Sequence, residues 1–133
     1  MNNYTEILRQ HNLKATPQRL EITNALYLNG HMNIEHLYDV MLKKFNSISL
    51  ATIYKNINLM LEASFIQEVK IPHSKSVYEL TKDTHSHIIC NSCGDIMDIE
   101  INLDSVISNA AQTSNYKINK SDLVLSGTCK NCQ

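Results

Sequence analysis

Glycine and proline are scarce in this chain of 133 residues, which has three of the first and two of the second. That scarcity excludes a long flexible linker and a low-complexity tract. The apolar runs are far shorter than a membrane span requires, and no segment repeats another. Nothing at the N-terminus resembles a signal peptide, so we expect the four cysteines to stay reduced. The composition, 43% hydrophobic and 19% charged, suits one globular domain or two small ones.

The net charge of −1 hides an uneven distribution. Residues 1–82 carry nine basic against seven acidic side chains, whereas residues 83–133 carry three against six. We therefore expect two domains with these bounds, the first mildly basic and the second acidic and rich in metal ligands.

The four cysteines form two Cys-x-x-Cys pairs, Cys90 with Cys93 and Cys129 with Cys132. Each short loop can turn its two sulfurs toward a common centre about 2.3 Å away, which suits one tetrahedral zinc ion. The 35 residues between the pairs exceed the usual spacing, so the ion would join the end of a small domain to its beginning. A disulfide framework or a redox Cys-x-x-Cys motif is the alternative interpretation.

A second group of metal ligands lies around the first cysteine pair. His85 and His87 flank Ser86, so on a strand both imidazoles point to one face. Asp98 belongs to a later strand-like run and could face the same pocket. Imidazole with carboxylate suits zinc, iron or manganese, although a lone His-x-His is often an exposed strand pair.

The first 82 residues predict helices and then a hairpin, which is the order of a winged helix-turn-helix. The predicted elements are helices at 3–11, 17–29, 34–45 and 49–61 and strands at 65–71 and 77–80. The helix at 49–61 has an inner face beginning at Leu50 and a polar face of Thr52, Lys55, Asn56 and Asn58. Such short polar groups can reach phosphates and base edges, although an ordinary surface helix could also carry them.

The remaining residues predict a small α/β unit, which makes the fold class α+β. Strands are expected at 87–90, 96–101, 116–118 and 123–125, with an amphipathic helix at 103–111. A unit of about fifty residues often needs a metal or an oligomer for stability.

Four segments, taken in order, resemble the ferric uptake regulator superfamily of bacterial metal-dependent repressors. They are Thr16-Pro17-Gln18-Arg19, Ser49-Leu50-Ala51-Thr52-Ile53-Tyr54, His85-Ser86-His87-Ile88-Ile89-Cys90-x-x-Cys93-Gly94 and Cys129-x-x-Cys132. The resemblance implies a cytoplasmic homodimer that binds a palindromic double-stranded DNA operator when loaded with metal. Each subunit would have an N-terminal winged helix and a C-terminal α/β dimerisation domain.

The resemblance also implies the role of individual residues. Cys90, Cys93, Cys129 and Cys132 match the structural zinc ligands. His31, Glu79, His85, His87 and Asp98 match a regulatory site that takes Fe²⁺ or Mn²⁺. Tyr54 and Lys55 match DNA-contacting positions, and Lys14 and Arg19 are expected at phosphates.

Single residues indicate which branch of the family the chain resembles most. Asp98 resembles the last ligand of the peroxide-sensing members. In these, bound Fe²⁺ reacts with peroxide and a ligand histidine is oxidised, for which the matching candidates here are His31 and His85. Glu79 departs from that branch, which tends to have aspartate there. Ser86 stands where iron and zinc regulators have a further ligand.

Three alternatives to a metal-dependent repressor that senses peroxide stay open on the sequence alone. An iron-uptake repressor would respond to the Fe²⁺ level without being inactivated by peroxide. A small metal-dependent hydrolase could use the histidines and Asp98, but no additional general base or substrate motif accompanies them. A zinc-binding interaction module would leave His31 and the polar helix face without a role.

Overall fold

Five helices and five strands form the chain in a computed structural model that describes residues 3–133. The helices are α1 (Tyr4–Gln10), α2 (Pro17–Asn29), α3 (Ile34–Lys44), α4 (Leu50–Glu62) and α5 (Asp104–Ser114). The strands are β1 (Ile66–Val69), β2 (Val77–Leu80), β3 (Ser86–Cys90), β4 (Ile96–Ile99) and β5 (Val124–Gly127). The chain divides after Lys82 into two compact units. Among the described residues, no helix is long and apolar enough to cross a membrane.

Local signals in the sequence fix the starts of the longer helices. The Thr16 hydroxyl accepts the Arg19 N–H at 3.2 Å, directly before Pro17 at the first position of α2. Ser49 caps α4 in the same way, since its hydroxyl accepts the Thr52 N–H at 3.1 Å. These caps satisfy backbone donors that have no partner inside the helix.

The first unit packs α1 to α4 against the antiparallel β1–β2 hairpin. Its core takes apolar side chains from all four helices and from the start of the hairpin. The innermost of these are Leu8, Ile22, Leu26, Leu37, Met41, Ile53, Ile57, Met60 and Ile66. The order of helices followed by a hairpin is that of a winged helix, and the predicted α+β class is confirmed.

The second unit is a three-stranded sheet in the order β4-β3-β5, crossed over by α5. β3 is antiparallel to β4 and parallel to β5, and a parallel pair needs such a long crossover. Among the apolar residues described in this unit, only Cys90 is fully buried, and α5 has no buried residue. Apolar burial inside this unit is therefore too small to be its main source of stability.

Two expectations about elements are wrong. The segment 116–118 is not a strand: it follows Asn115, which ends α5 with φ +61°, and it has no place in the described sheet of β4, β3 and β5. Leu50 does not line the inner face of α4, since it lies in the first turn and is 41% exposed. The buried stripe of α4 begins one turn later, at Ile53.

Candidate metal centres and nucleic-acid surface

The four cysteines of the second unit converge on one centre. Cys90 ends β3, and the parallel pairing of Cys90 with Gly127 brings the turn after β5 beside it. The four Sγ atoms all lie within 4.8 Å of one another, and those of Cys93 and Cys129 are 3.8 Å apart. Four sulfurs at about 2.3 Å from a tetrahedral zinc ion lie about 3.8 Å apart. The thiols, which are all free, therefore fit one zinc ion.

Backbone N–H groups stabilise the thiolate form of Cys90. Its Sγ accepts N–H groups of Cys129 at 3.3 Å, Ser92 at 3.4 Å and Cys93 at 3.5 Å. These bonds, with that of Cys129 the largest, lower the pKa of Cys90 to about 6. The neighbouring thiols, first Cys129, raise the pKa of Cys132 to about 12. Metal binding requires deprotonated thiols, so a bound cation would favour the thiolate form of the cluster.

A separate cluster is formed by His85, which directly precedes β3, His87 on β3 and Asp98 on β4. The register of these strands pairs His87 with Asp98, and the Asp98 Oδ1 lies 3.4 Å from the His87 Nε2 and 3.7 Å from the His85 Nε2. The two Nε2 atoms are 3.0 Å apart. Two ligand atoms that each lie about 2.1 Å from the same ion, at a right angle to each other, are also about 3 Å apart. The separation of the two Nε2 atoms therefore fits two ligands of one ion.

The orientation of His85 supports metal binding at its Nε2. Its Nδ1 lies 2.7 Å from the Asp83 carbonyl oxygen, which only a protonated nitrogen can satisfy. In the neutral ring the Nε2 then carries the lone pair. The side chains of His85 and His87 are 7% and 8% exposed, and that of Asp98 is 32% exposed. Two imidazoles and a carboxylate suit Fe²⁺, Mn²⁺ or Zn²⁺.

The first unit carries a second pair of ligands, His31 and Glu79. The His31 Nε2 lies 2.9 Å from the Glu79 Oε2, and the Glu79 side chain is only 1% exposed. His31 follows Gly30, which ends α2 with φ +79°, and precedes a backbone bridge between Met32 and Tyr78. That bridge holds the segment after α2 against β2, which carries Glu79.

Gln67 contacts Glu79 of this pair and was not among the residues predicted from the sequence. It stands opposite Glu79 in the β1–β2 register, and its Nε2 donates to the Glu79 Oε1 at 2.6 Å. In the sequence, only the predicted hairpin could have pointed to this contact, because the length of the loop between the strands determines which residue of β1 stands opposite Glu79.

The residues predicted to contact DNA differ in their exposure to solvent. Lys14, Tyr54 and Lys55 are exposed, as is Asn58 on the same helix. Thr52 is partly buried, and its hydroxyl lies 2.9 Å from that of the cap residue Ser49.

Asn56 is not on the exposed face, and this expectation is wrong. It is 7% exposed, because it lies one helical turn after Ile53 on the inner side of α4. Its amide nitrogen donates to the Thr52 carbonyl at 3.0 Å, and its Oδ1 accepts the Arg19 Nε–H at 3.0 Å. The Arg19 Nη1 donates to the Lys14 carbonyl at 3.0 Å. Asn56 therefore holds Arg19 rather than reaching outward itself.

Comparison with known proteins assigns the chain to a family. The sequence pattern of the ferric uptake regulator family matches residues 10–126. The peroxide-responsive repressor PerR of Staphylococcus saprophyticus is 30% identical over 128 residues, which cover 95% of this chain and 86% of that protein.

Two crystal structures are similar over nearly the whole chain. The Campylobacter jejuni peroxide stress regulator is 32% identical with a TM-score of 0.74, over 99% of this chain and 100% of that one. The Vibrio cholerae ferric uptake regulator is 27% identical with a TM-score of 0.78, over 96% and 100%. Family members are regulators, so the hydrolase interpretation is set aside. The chain belongs to the ferric uptake regulator family and is a metal-responsive transcriptional regulator, not an enzyme.

Proposed function

We propose that this chain is a metal-dependent repressor that binds palindromic operators as a homodimer in the cytoplasm and senses peroxide. The observation that carries the proposal is the His85–His87–Asp98 cluster, which offers nitrogen and oxygen ligands apart from the four thiols. The similarity to proteins named as peroxide-responsive regulators supports the same branch.

The two kinds of centre take different metals in this proposal. Cys90, Cys93, Cys129 and Cys132 bind Zn²⁺, because an all-sulfur tetrahedral site is typical of structural zinc. The harder nitrogen and oxygen ligands bind Fe²⁺ or Mn²⁺.

One regulatory ion is proposed to take ligands from both units. His31 and Glu79 form a ligand pair in the first unit, and His85, His87 and Asp98 form a set of three in the second. Neither set by itself fills the coordination sphere of a six-coordinate ion. An ion held by both sets would restrict the movement of the units and thereby fix the α4 helices of a dimer for operator binding.

Peroxide sensing is proposed to act on His31 or His85. Bound Fe²⁺ supplies the redox chemistry that activates hydrogen peroxide. One peroxide oxygen is added to a ring carbon of the histidine and the other leaves as water, so the ring loses two electrons. In His85 the carbon between the two ring nitrogens adjoins the Nε2 that faces Asp98. The oxidised ring is a poorer ligand, so the ion and then the operator are released.

The homodimer is proposed to form through the second unit. This unit exposes the apolar side chains of Met97 (63%), Val106 (62%) and Leu125 (40%), and little of its apolar surface is buried. Covering these side chains with a second copy would stabilise a unit that has a small core.

A second candidate is an iron-uptake repressor that senses the Fe²⁺ level. Glu79 favours it, because the peroxide-sensing branch tends to have aspartate at this position. The similarity to the Vibrio cholerae ferric uptake regulator is compatible with it. The two candidates share the zinc site, the ligand set and the DNA surface, and they differ in the response to peroxide.

The DNA-binding part of the proposal is tested at Lys55. An operator is first selected from random double-stranded DNA with the protein loaded with Zn²⁺ and Mn²⁺. Lys55→Ala is expected to weaken operator binding by about 1–3 kcal/mol, because the exposed ammonium of α4 is lost at the DNA surface. Affinity is measured by fluorescence anisotropy at several salt concentrations.

Lys117→Ala is the matched control, since it removes the same charge from an exposed position in the second unit. Equal losses in the two variants would show a general charge effect. Unchanged binding by Lys55→Ala would contradict the placement of α4 on DNA.

A further inference from the structure

Gln67 is placed to control how Glu79 binds a metal ion. The two residues are direct partners across the β1–β2 hairpin, and the Gln67 amide donates to the Glu79 Oε1 at 2.6 Å. The other carboxylate oxygen, Oε2, lies 2.9 Å from the His31 Nε2. The two oxygens of Glu79 therefore have different neighbours, an amide donor on one side and a fellow metal ligand on the other.

The burial of Glu79 makes its hydrogen bond from Gln67 difficult to replace. The Glu79 side chain is 1% exposed, so water has little access to replace a lost hydrogen bond. A glutamate has one more rotatable bond than an aspartate and can bind an ion through one oxygen or through both. A hydrogen bond to Oε1 removes much of that freedom and leaves Oε2 as the oxygen directed at the site of His31.

We infer that Gln67 is a positioning residue for the regulatory metal, which holds Glu79 in a one-oxygen binding mode through Oε2. The inference rests on the proposed function, because it takes Glu79 as a ligand. It adds a residue that touches no metal itself. Outer hydrogen-bond partners of metal ligands typically change metal affinity by about 10-fold to 100-fold.

The test uses the full-length chain loaded with zinc, with Mn²⁺ as the probe. Free Mn²⁺ is measured by its electron paramagnetic resonance signal during a titration, which needs no DNA. Gln67→Leu removes the donor at similar size and is expected to weaken Mn²⁺ binding by about 10-fold or more. Gln67→Asn keeps the amide on a shorter side chain and is expected to weaken binding in the same direction. Circular dichroism and zinc content confirm that each variant is folded.

A matched control and a double variant separate positioning from a general loss of structure. Glu68→Gln changes the exposed neighbour on the other face of β1 and should leave Mn²⁺ affinity unchanged. Glu79→Gln should weaken binding, and adding Gln67→Leu to it should cause no further loss, because Gln67 acts only through Glu79.

The outcomes distinguish this inference from the proposed function. Normal Mn²⁺ affinity in Gln67→Leu, or an equal loss with and without the Glu79 carboxylate, would overturn the role of Gln67. If Glu79→Gln also binds Mn²⁺ normally, Glu79 is not a ligand, and the proposed ligand set fails together with the inference. If Glu79→Gln loses Mn²⁺ affinity and Gln67→Leu does not, only the role of Gln67 is overturned, and Glu79 remains a ligand.

Discussion

Replacing Cys93 by serine is expected to release the zinc ion and to unfold the second unit while the first unit stays folded. The second unit has little buried apolar surface, whereas the first has a core drawn from four helices and the hairpin. Structural zinc sites supply about 10–16 kcal/mol of apparent binding free energy, which is comparable to the whole free energy of unfolding of a typical domain, about 5–15 kcal/mol. Cys93 is exposed, so its replacement does not itself create a cavity.

The measurement combines zinc content with hydrogen exchange followed by mass spectrometry. Peptides from residues 83–133 should lose protection, and peptides covering α2 to α4 should keep it. Ser92→Ala, in the same turn and also exposed, is the control and should retain one zinc ion per chain. A Cys93→Ser protein with full zinc content and a protected β3 would show that the four thiols do not act as one structural site.

Replacing Asp98 by alanine is expected to abolish most metal-dependent operator binding without affecting the zinc. Asp98 supplies a carboxylate beside both imidazoles, with its Oδ1 at 3.4 Å from the His87 Nε2 and 3.7 Å from the His85 Nε2. Loss of even an outer partner of a ligand costs about 10-fold to 100-fold in metal affinity, so loss of the ligand itself should cost about 100-fold or more. Operator affinity at a fixed, limiting Mn²⁺ concentration should fall accordingly.

Glu100→Ala is the control for this variant, because it removes an exposed carboxylate just beyond β4. Zinc content should be unchanged in both proteins. If Asp98→Ala needs no more Mn²⁺ than the unaltered protein to bind the operator, the cluster is not the regulatory centre.

Much of the fold can be predicted from local signals in the sequence, namely helix caps and the spacing of apolar residues. The caps at Thr16 and Ser49 start α2 and α4 where they were expected, and the apolar stripe of α3 buries Leu37 and Met41. The strands that carry His87 and Asp98 were also expected, and their register explains why these two residues meet. Local capping and periodicity are physical properties of short segments, so no knowledge of distant residues is needed.

The features that were missed depend on contacts between distant parts of the chain. Asn56 looks like a surface residue by type, but it lies on the buried side of α4, where Arg19, 37 positions earlier in the chain, donates to its side chain. Gln67 gained its importance only from its pairing with Glu79, which the register of the hairpin sets. The segment 116–118 has strand-like residues, yet it has no place in the described sheet, whose order is β4-β3-β5. Residue type alone does not contain this information.

The most direct test of the account is operator binding before and after brief exposure to low hydrogen peroxide. Zinc-loaded protein is compared with either Fe²⁺ or Mn²⁺ in the regulatory site, and the histidine peptides are analysed by mass spectrometry. We expect that only the Fe²⁺ form loses operator binding, with one added oxygen atom on His31 or His85. Unchanged operator binding with unmodified histidines would contradict peroxide sensing and would leave a repressor that responds to the level of its metal.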